Sequence, residues 1–301
     1  MSSTAEATKT RPHAAESSGW FAIPAPLARL FKRFPLLTYP PNELPARSPD
    51  VRDVPTLYVF ISDEDALRGL PSFNPSCLRW QTFLKLAGVD FCVRPSNNHA
   101  SPTGALPFLL PPSTPSNPRP QKPIGPGKLE QYGIDNGESK LAENLGSRLE
   151  AYESLLDHRI RNAWLYTLYL SPANAALLAH LYIDPATASR PVRATLAFQL
   201  RHAAEREILR STGRDAIDPP ALYRGATEAW KALDAVLSDD SWFFGSEVPG
   251  LFDATVFSYT HLILHHGLEW GNSRLRGILT QFPRLLSHRD RVFQRCWGPG
   301  I

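Results

Sequence analysis

Cys77, in the segment PSCLRWQTFLKLAG, is the residue of this sequence best placed for covalent chemistry. The pattern predicts a helix that starts with Asn74 as N-cap and Pro75 as first residue, so Cys77 falls in its first turn. A helix N-terminus can lower the pKa of a thiol and make it reactive. Trp80 stands where a resolving cysteine would be needed, which excludes a local two-cysteine redox cycle. One-cysteine chemistry and simple core packing both remain open, with packing favoured.

Three histidines, His261, His265 and His266, form a second group of candidate reactive side chains. Their spacing on a predicted apolar helix would place two imidazoles on one face. No carboxylate or cysteine completes a metal-ligand set, and the HExxH pattern of zinc enzymes is absent. The sequence also contains no nucleophile elbow, phosphate-binding loop or dinucleotide fingerprint. We therefore predict buried or capping histidines, no metal and no cofactor.

The elements around Cys77 follow a strand, helix, strand, strand order. TLYVF, VDFCVR and GALPFLL predict the strands, and Leu106-Pro107 opens the third one. Thioredoxin-like domains place a cis-proline at this point, beside their peptide or thiol site, so Pro107 is a candidate structural cis-proline. The segment KLEQYGI predicts a short fourth strand.

After Gly137 the chain has a helical pattern throughout. One long helix is closed by Pro172, and later helices are predicted near 172–184, 190–212, 219–238, 251–269 and 282–296. The predicted fold is glutathione-transferase-like, in the α+β or α/β class, with an N-terminal thioredoxin-like lobe followed by an all-helical C-terminal lobe. Residues 1–55 are expected to form a disordered tail, a short amphipathic segment and a proline-rich arm. The thioredoxin-like lobe is expected at 56–137, with a proline-rich insertion near 107–126. The helical lobe is expected at 138–301.

Two further positions match the way that glutathione transferases hold their ligand. Ser76 could stabilise a glutathione thiolate, and Glu138-Ser139, before a helical run, could bind the γ-glutamyl group at a helix N-terminus. An ordinary first-turn serine and a plain helix N-cap explain the same residues and are favoured. The proline-rich insertion also separates the Glu-Ser pair from Pro107.

A short basic amphipathic helix is predicted within WFAIPAPLARLFKRF. From Pro26, apolar residues recur at i, i+3, i+4 and i+7, with basic residues on the opposite side. Packing on the protein's own domain, docking on a partner or membrane surface, and a targeting sequence all remain open, although Glu6 and Glu16 argue against a cleavable presequence. The candidate docking residues are Trp20, Phe21, Leu27, Leu30, Phe31 and Phe34.

Composition and charge exclude several classes of protein. A net charge of +3 over 301 residues is too small for a dedicated nucleic-acid binder, whereas a pI near 8.8 permits attraction to an anionic membrane or an acidic partner. Three widely spaced cysteines without a CxxC pair suggest neither a disulfide framework nor a zinc site.

Two regions need a separate assessment for membrane contact. Residues 162–183 contain no Asp, Glu, Lys or Arg, but Pro172, Asn174 and His180 interrupt them, so a buried helical hairpin is favoured over a transmembrane span. The arginine-rich run 274–295 predicts a solvated helix face, with an acidic partner or a phospholipid surface as the alternative.

Four segments within residues 56–296 form a recognisable ordered set. They are SFNPSCLRWQTFLKLAGVDF, GKLEQYGIDNGESKLAENLGSRLEAYESLLDHRIRNAWLYTLYL, WFFGSEVPGLFDATVFSYTHL and FPRLLSHRDRVF. Together they resemble the metaxin family, which comprises glutathione-transferase-like proteins of the mitochondrial outer membrane. In the first segment a cysteine opens the first helix, and in the third Asp253 serves the capping structure at a helix start.

The resemblance, with no tail anchor expected at the C-terminus, implies the peripheral metaxin-like subunit of the mitochondrial sorting and assembly machinery. Such subunits cap the central β-barrel on the cytosolic side and help to recognise and insert precursor β-barrel proteins. The implied partners are the central β-barrel subunit, a second metaxin-like subunit, precursor β-barrel proteins and the membrane surface, but no nucleic acid. No enzyme activity is implied. A glutathione transferase or glutathione-dependent thiol enzyme, and a soluble adaptor in another compartment, are the competing interpretations.

Overall fold

The structure, a computed structural model, describes residues 53–113, 122–141 and 147–298. The predicted tail and amphipathic segment and most of the proline-rich arm lie outside the described residues, as does the middle of the proline-rich insertion. The candidate docking residues that lie outside them are Trp20, Phe21, Leu27, Leu30, Phe31 and Phe34.

A three-stranded sheet with strand order β2-β1-β3 forms the centre of the N-terminal lobe. β1 (Thr56–Val59) runs parallel to β2 (Cys92–Pro95) and antiparallel to β3 (Phe108–Leu110). Leu57 and Val59 are buried, which suits the apolar run of a central strand. The three strands predicted from TLYVF, VDFCVR and GALPFLL are therefore confirmed.

Two helices connect β1 to β2. α1 (Asp63–Leu67) is short, and α2 (Pro75–Leu86) shares a core with the sheet. As predicted, Asn74 caps α2, and its side-chain oxygen accepts a hydrogen bond from the Cys77 N–H at 3.2 Å. The predicted apolar face of α2 is buried. It consists of Cys77, Trp80, Leu84 and Ala87.

The segment KLEQYGI is helical, so the predicted fourth strand is wrong. It lies within α3 (Pro126–Asn136), which begins with a proline, a good residue for a first helical turn. Leu129 and Gly133 are the buried residues of α3 and Gln131 between them is exposed, whereas in a strand all three would share one face. Among the described residues, only Ile124 takes a fourth-strand position, in a single antiparallel bridge to Leu109.

The C-terminal lobe is helical, as predicted. Its helices are α4 (147–170), α5 (172–183), α6 (Arg190–Thr212), α7 (Pro219–Leu237), α8 (Leu251–Leu264), α9 (Arg274–Leu279) and α10 (Pro283–Trp297). Short π-helical turns interrupt α4 and α5. Residues 162–183 form the end of α4 and all of α5, which meet at Pro172. No helix in the described part of the chain is long and apolar enough to span a membrane.

α8 ends at Leu264, five residues earlier than predicted. His265 leaves the helical conformation, with φ −62° and ψ 118°. The Arg276 guanidinium, from α9, donates hydrogen bonds to the carbonyls of Ile263 (3.3 Å) and His265 (3.2 Å) and so satisfies acceptors at the helix end. The sequence does not predict α9 as a separate helix, because six residues are too few to show a helical period.

Both lobes pack on α8. Twelve of its residues are buried, and it lies against α2 and α10. Ala254 of α8 belongs to the core of the sheet lobe, whereas Leu78 of α2 belongs to the core of the helical lobe. From α10, Trp297 Nε1 donates a hydrogen bond to the Gly69 carbonyl at 2.9 Å. The two lobes therefore exchange core residues and form one continuous apolar interior.

A buried carboxylate fixes the start of α8. One oxygen of Asp253 accepts a hydrogen bond from the Gly250 N–H at 2.9 Å, and the other accepts one from the Phe243 N–H at 3.1 Å. The second oxygen also lies 2.9 Å from Nε2 of His288, a buried residue of α10. These donors replace the water that the carboxylate loses on burial. Asp253 thus has the capping role that the sequence indicates, with His288 as an additional partner.

We expect Gly133→Ala to destabilise the protein and Gly127→Ala, in the same helix, to leave it at least as stable. A Cβ at Gly133 would lie 2.6 Å from Cε1 of the buried Phe83, whereas a Cβ at Gly127 would meet nothing within 4 Å. Overpacking should lower the free energy of unfolding by about 1–3 kcal/mol, while the control gains up to about 1 kcal/mol of helix propensity. Denaturant titration measures both, and equal stabilities would contradict the packing of α3 on α2.

Candidate functional site

The thiol of Cys77 lies at the start of α2 but is inaccessible. Its side chain is 0% exposed and lies beside the Phe60 backbone and the Ser72 hydroxyl. Burial raises the pKa of the Cys77 thiol to about 12, and the two polar neighbours offset this only in part. At neutral pH the sulfur is therefore protonated, and a protonated thiol is a poor nucleophile.

Four aromatic residues close the boundary between the lobes beside the first turn of α2. This interlobe aromatic cluster consists of Phe60, Phe73, Tyr169 and Tyr182. The ring of Tyr182, from α5, packs edge-on against Phe60 and Phe73, with centroids 5.3 and 5.4 Å apart, and lies 5.9 Å from Tyr169. Its hydroxyl accepts a hydrogen bond from Nδ2 of the α2 cap, Asn74, at 3.0 Å. A ligand for Cys77 would have to displace these rings.

Buried hydrogen bonds hold the loop that leads into α2. Gln81 Oε1 accepts from the Ser72 N–H at 2.8 Å, and Gln81 Nε2 donates to the Leu70 carbonyl at 2.8 Å. The Ser72 hydroxyl donates to the Phe60 carbonyl at 2.6 Å. Ser72 and Gln81 are both buried, so opening this loop would leave several polar groups without partners.

The Leu106–Pro107 peptide bond is cis, at the position where the sequence predicts a cis-proline. Both residues are buried. The Leu106 N–H donates a hydrogen bond to Asn98 Oδ1 at 3.0 Å, which ties the start of β3 to the preceding loop. Pro107 therefore shapes the inside of the lobe and does not present a surface to a peptide.

The remaining residues considered for glutathione binding lie far apart. Ser76 is exposed on the first turn of α2. The Ser139 N–H donates a hydrogen bond to the Ala87 carbonyl at 2.9 Å, which is at the other end of that helix. The N-cap predicted for Glu138-Ser139 is wrong, because residues 137–141 are not helical. Since twelve helical residues span about 18 Å, the two serines cannot hold one small ligand together.

His261 is a buried core residue. Neither of its ring nitrogens has a hydrogen-bond partner among the described residues, and its ring stacks on Phe293 at 5.3 Å. Burial lowers the pKa of His261 to about 3, and the positive charge of Arg289 and the neighbouring His265 contribute. His266 is exposed beyond the end of α8. The described part of the chain contains no group of three or more potential metal ligands.

Arginines of the C-terminal run form part of a solvated helix face, as predicted, since Arg274, Arg284 and Arg295 are exposed, but some of them also contact their own chain. Arg284 lies 3.5 Å from Asp234 and 3.3 Å from Asp239. Arg291 donates to the Ser241 carbonyl at 3.0 Å. These contacts satisfy charges that an acidic partner or a phospholipid surface would otherwise bind.

A groove of about 650 Å³ lies between the two lobes. Apolar side chains such as Phe83 and Phe252 line it, and Arg79 faces Glu153 at 3.8 Å. Partial burial raises the pKa of Glu153, although Arg79 opposes this. Cys77 does not line the groove, so a ligand bound there would not meet the thiol.

Comparison with known proteins finds relatives of two kinds. The family model described as "Glutathione S-transferase N-terminal domain" matches residues 75–174, and that described as "Glutathione S-transferase, C-terminal domain" matches residues 226–292. Metaxin-1 of Homo sapiens is 27% identical over 218 residues, which cover 70% of this chain and 46% of that protein. Metaxin-1 of Macaca fascicularis is 29% identical over 218 residues, 70% of this chain and 67% of that protein. The chain thus spans about half the length of the human relative.

The solved structures that match this chain include a glutathione transferase and a β-etherase. A family member from Pseudomonas fluorescens is 15% identical, with a TM-score of 0.46 over 84% of this chain and 95% of its own. The β-etherase LigF from Sphingobium is 14% identical, with a TM-score of 0.49 over 80% of this chain and 95% of its own.

We expect iodoacetamide to label Cys92 in the native protein and to leave Cys77 and Cys296 unlabelled. Cys92 is exposed, whereas burial raises the pKa of each of the other two thiols to about 12. Peptide mapping by mass spectrometry should find the two protected cysteines labelled only after denaturation. Cys92→Ser is the control and should abolish native labelling. Labelling of Cys77 at a rate comparable to Cys92 would contradict the closed site.

His261→Phe should make stability less sensitive to acid. The folded protein keeps His261 neutral down to a pKa of about 3, whereas the unfolded chain binds a proton near the ordinary value of 6.5. Wild-type stability must therefore fall as pH drops below 6.5, by about 2 kcal/mol between pH 7 and pH 5. The His261→Phe variant should lack this fall in stability, whereas the control variant His266→Phe, at an exposed position, should show it. Denaturant titrations at both pH values test this; parallel losses in wild type and His261→Phe would refute a neutral buried imidazole.

Proposed function

We propose, since this chain belongs to the family of metaxins and glutathione-transferase-like proteins, a non-enzymatic role for it. The proposed role is that of a subunit of the mitochondrial outer-membrane machinery for β-barrel assembly. In this role it lies peripherally on the cytosolic face, caps the central barrel, and helps to recognise and insert precursor β-barrel proteins. The observation that carries the proposal is the similarity to metaxin-1 over 70% of the chain.

The closed thiol site supports a binding role over catalysis. Cys77 is buried with a raised pKa, and the interlobe aromatic cluster occupies the approach to it. Ser76 and Ser139 lie at opposite ends of α2. A thiol transferase needs an accessible thiolate and a pocket beside it, and neither is available here without rearranging buried hydrogen bonds.

The proposed partners are the central β-barrel subunit, a second metaxin-like subunit and precursor β-barrel proteins. The apolar residues between Trp20 and Phe34 are proposed to fasten the protein to the barrel or to the membrane surface. An exposed precursor strand has unpaired backbone groups, which a binding protein can satisfy before the barrel closes.

Affinity purification of the tagged full chain from mitochondria in mild detergent tests the proposal. The expected result is copurification of a β-barrel assembly subunit and a second metaxin-like protein, with the tagged chain released from membranes by carbonate extraction. Deletion of residues 1–40 should weaken retention of the barrel. A chain recovered from the cytosol without any barrel partner would refute the proposed role, and unchanged retention after the deletion would refute the docking segment.

A glutathione-dependent enzyme is the alternative that the two glutathione S-transferase family models favour. If the protein is such an enzyme, the wild-type chain should be retained on immobilised glutathione, and the variants Ser139→Ala or Cys77→Ala should lose this retention. We expect the wild-type chain to pass through such a column under conditions that retain a genuine glutathione transferase. Specific retention, with elution by free glutathione, would favour the enzyme.

A further inference from the structure

The outer half of α6, defined here as residues 190–203, contains no fully buried residue, although Leu200 packs on the core at partial burial. Ala204 and Ile208 are the buried residues of this 23-residue helix, and none lies between 190 and 203. The inner half is tied to the lobe by the Glu207–Arg161 ion pair at 2.7 Å. Most helices of a globular domain are stabilised by burying one face. Packing therefore does not explain the residues that the outer half presents to solvent.

Two large apolar side chains are exposed on this segment. Phe198 is 68% exposed and Val192 is 46% exposed. The Phe198 ring stacks on the ring of His202, with centroids 5.8 Å apart and planes 6° apart, which holds it at the surface one turn from the imidazole. Around the helix, Phe198 lies within about 80° of Arg190 and Arg201, whereas Val192 lies about 180° from Arg201, on the other side. An exposed phenylalanine loses free energy in water unless something covers it.

The charges on the same segment are positive. Residues 190–204 contain three arginines and no Asp or Glu. Arg193 pairs with Asp184, whereas Arg190 and Arg201 are exposed and form no ion pair with any described residue. Glu207, further along the helix, is already occupied by Arg161 and Arg210. The side of the helix around Phe198 therefore combines one exposed ring with two arginines that form no described ion pair, while Glu205, one turn beyond Arg201, lies 3.6 Å from His202.

We propose that the outer half of α6 binds an anionic phospholipid surface. Phe198 enters the boundary between headgroups and acyl chains, while Arg190 and Arg201, on the same side of the helix, bind headgroup phosphates. Charge complementarity favours lipid over a second protein, and the apolar side chains are too few and too widely spaced for the continuous core of a stable protein interface. This inference deepens the proposed function, since it assigns a specific surface to the peripheral membrane contact.

Flotation of the purified full chain with phosphatidylcholine vesicles, with and without phosphatidylserine, tests the contact. The double variant Phe198→Ser with Arg201→Gln should bind anionic vesicles about tenfold more weakly than wild type, because it loses a buried ring and one phosphate contact. The matched control is Leu67→Ser with Arg68→Gln on α1, where Leu67 is 82% exposed, and its binding should equal that of wild type. Thermal unfolding followed by circular dichroism should be the same for all three proteins.

A second measurement locates the contact. An environment-sensitive fluorophore on Phe198→Cys, in a Cys92→Ser background, should shift to the blue with anionic vesicles and lose the shift at high salt. The same fluorophore on the exposed native Cys92 should not shift.

Wild-type binding by the Phe198→Ser, Arg201→Gln variant, or no shift at position 198, would overturn the proposal. A loss of self-association in that variant, with vesicle binding intact, would overturn it in favour of a contact between copies. The vesicles contain no barrel partner, so these results are independent of the copurification experiment.

Discussion

The buried carboxylate of Asp253 is the constraint on which the arrangement of the two lobes depends. It anchors the start of α8 through backbone N–H groups and joins that helix to α10 through His288. Because α8 packs against α2 as well, the helix that Asp253 anchors is also the one on which the sheet lobe packs. Removing a hydrogen-bond donor from a buried carboxylate leaves an unsatisfied polar group and costs about 1–3 kcal/mol or more, so the geometry around Asp253 has little freedom.

The region that would hold the reactive centre of a thiol enzyme is used here for packing. Asn74 caps α2 and also binds Tyr182 from the helical lobe, so the first turn of the helix is part of the contact between lobes. The rings that make this contact bury their own surface and protect Cys77. Stability is gained at the position where catalysis would require an open pocket.

Local signals in the sequence predict a large part of the fold. The strands, the cap and apolar face of α2 and the long helices follow from periodicity and capping residues, which depend on neighbours in the chain. The errors depend on distant contacts. Gly133 of α3 packs on Phe83, fifty residues earlier in the chain, and Arg276 binds the end of α8. The partners of Arg284 and Arg291 lie about fifty residues away, which no local pattern reveals.

The exchange of core residues between lobes has a consequence for the order of events during synthesis. Ala254 of α8 completes the core of the sheet lobe, and Trp297 of α10 binds the Gly69 carbonyl. Domains emerging from the ribosome usually fold as they appear, the N-terminal one first. Here the lobe that emerges first must wait for nearly the whole chain before its interior is closed. Until then the interior of the sheet lobe lacks residues that close it, so we expect the two lobes to complete their packing together.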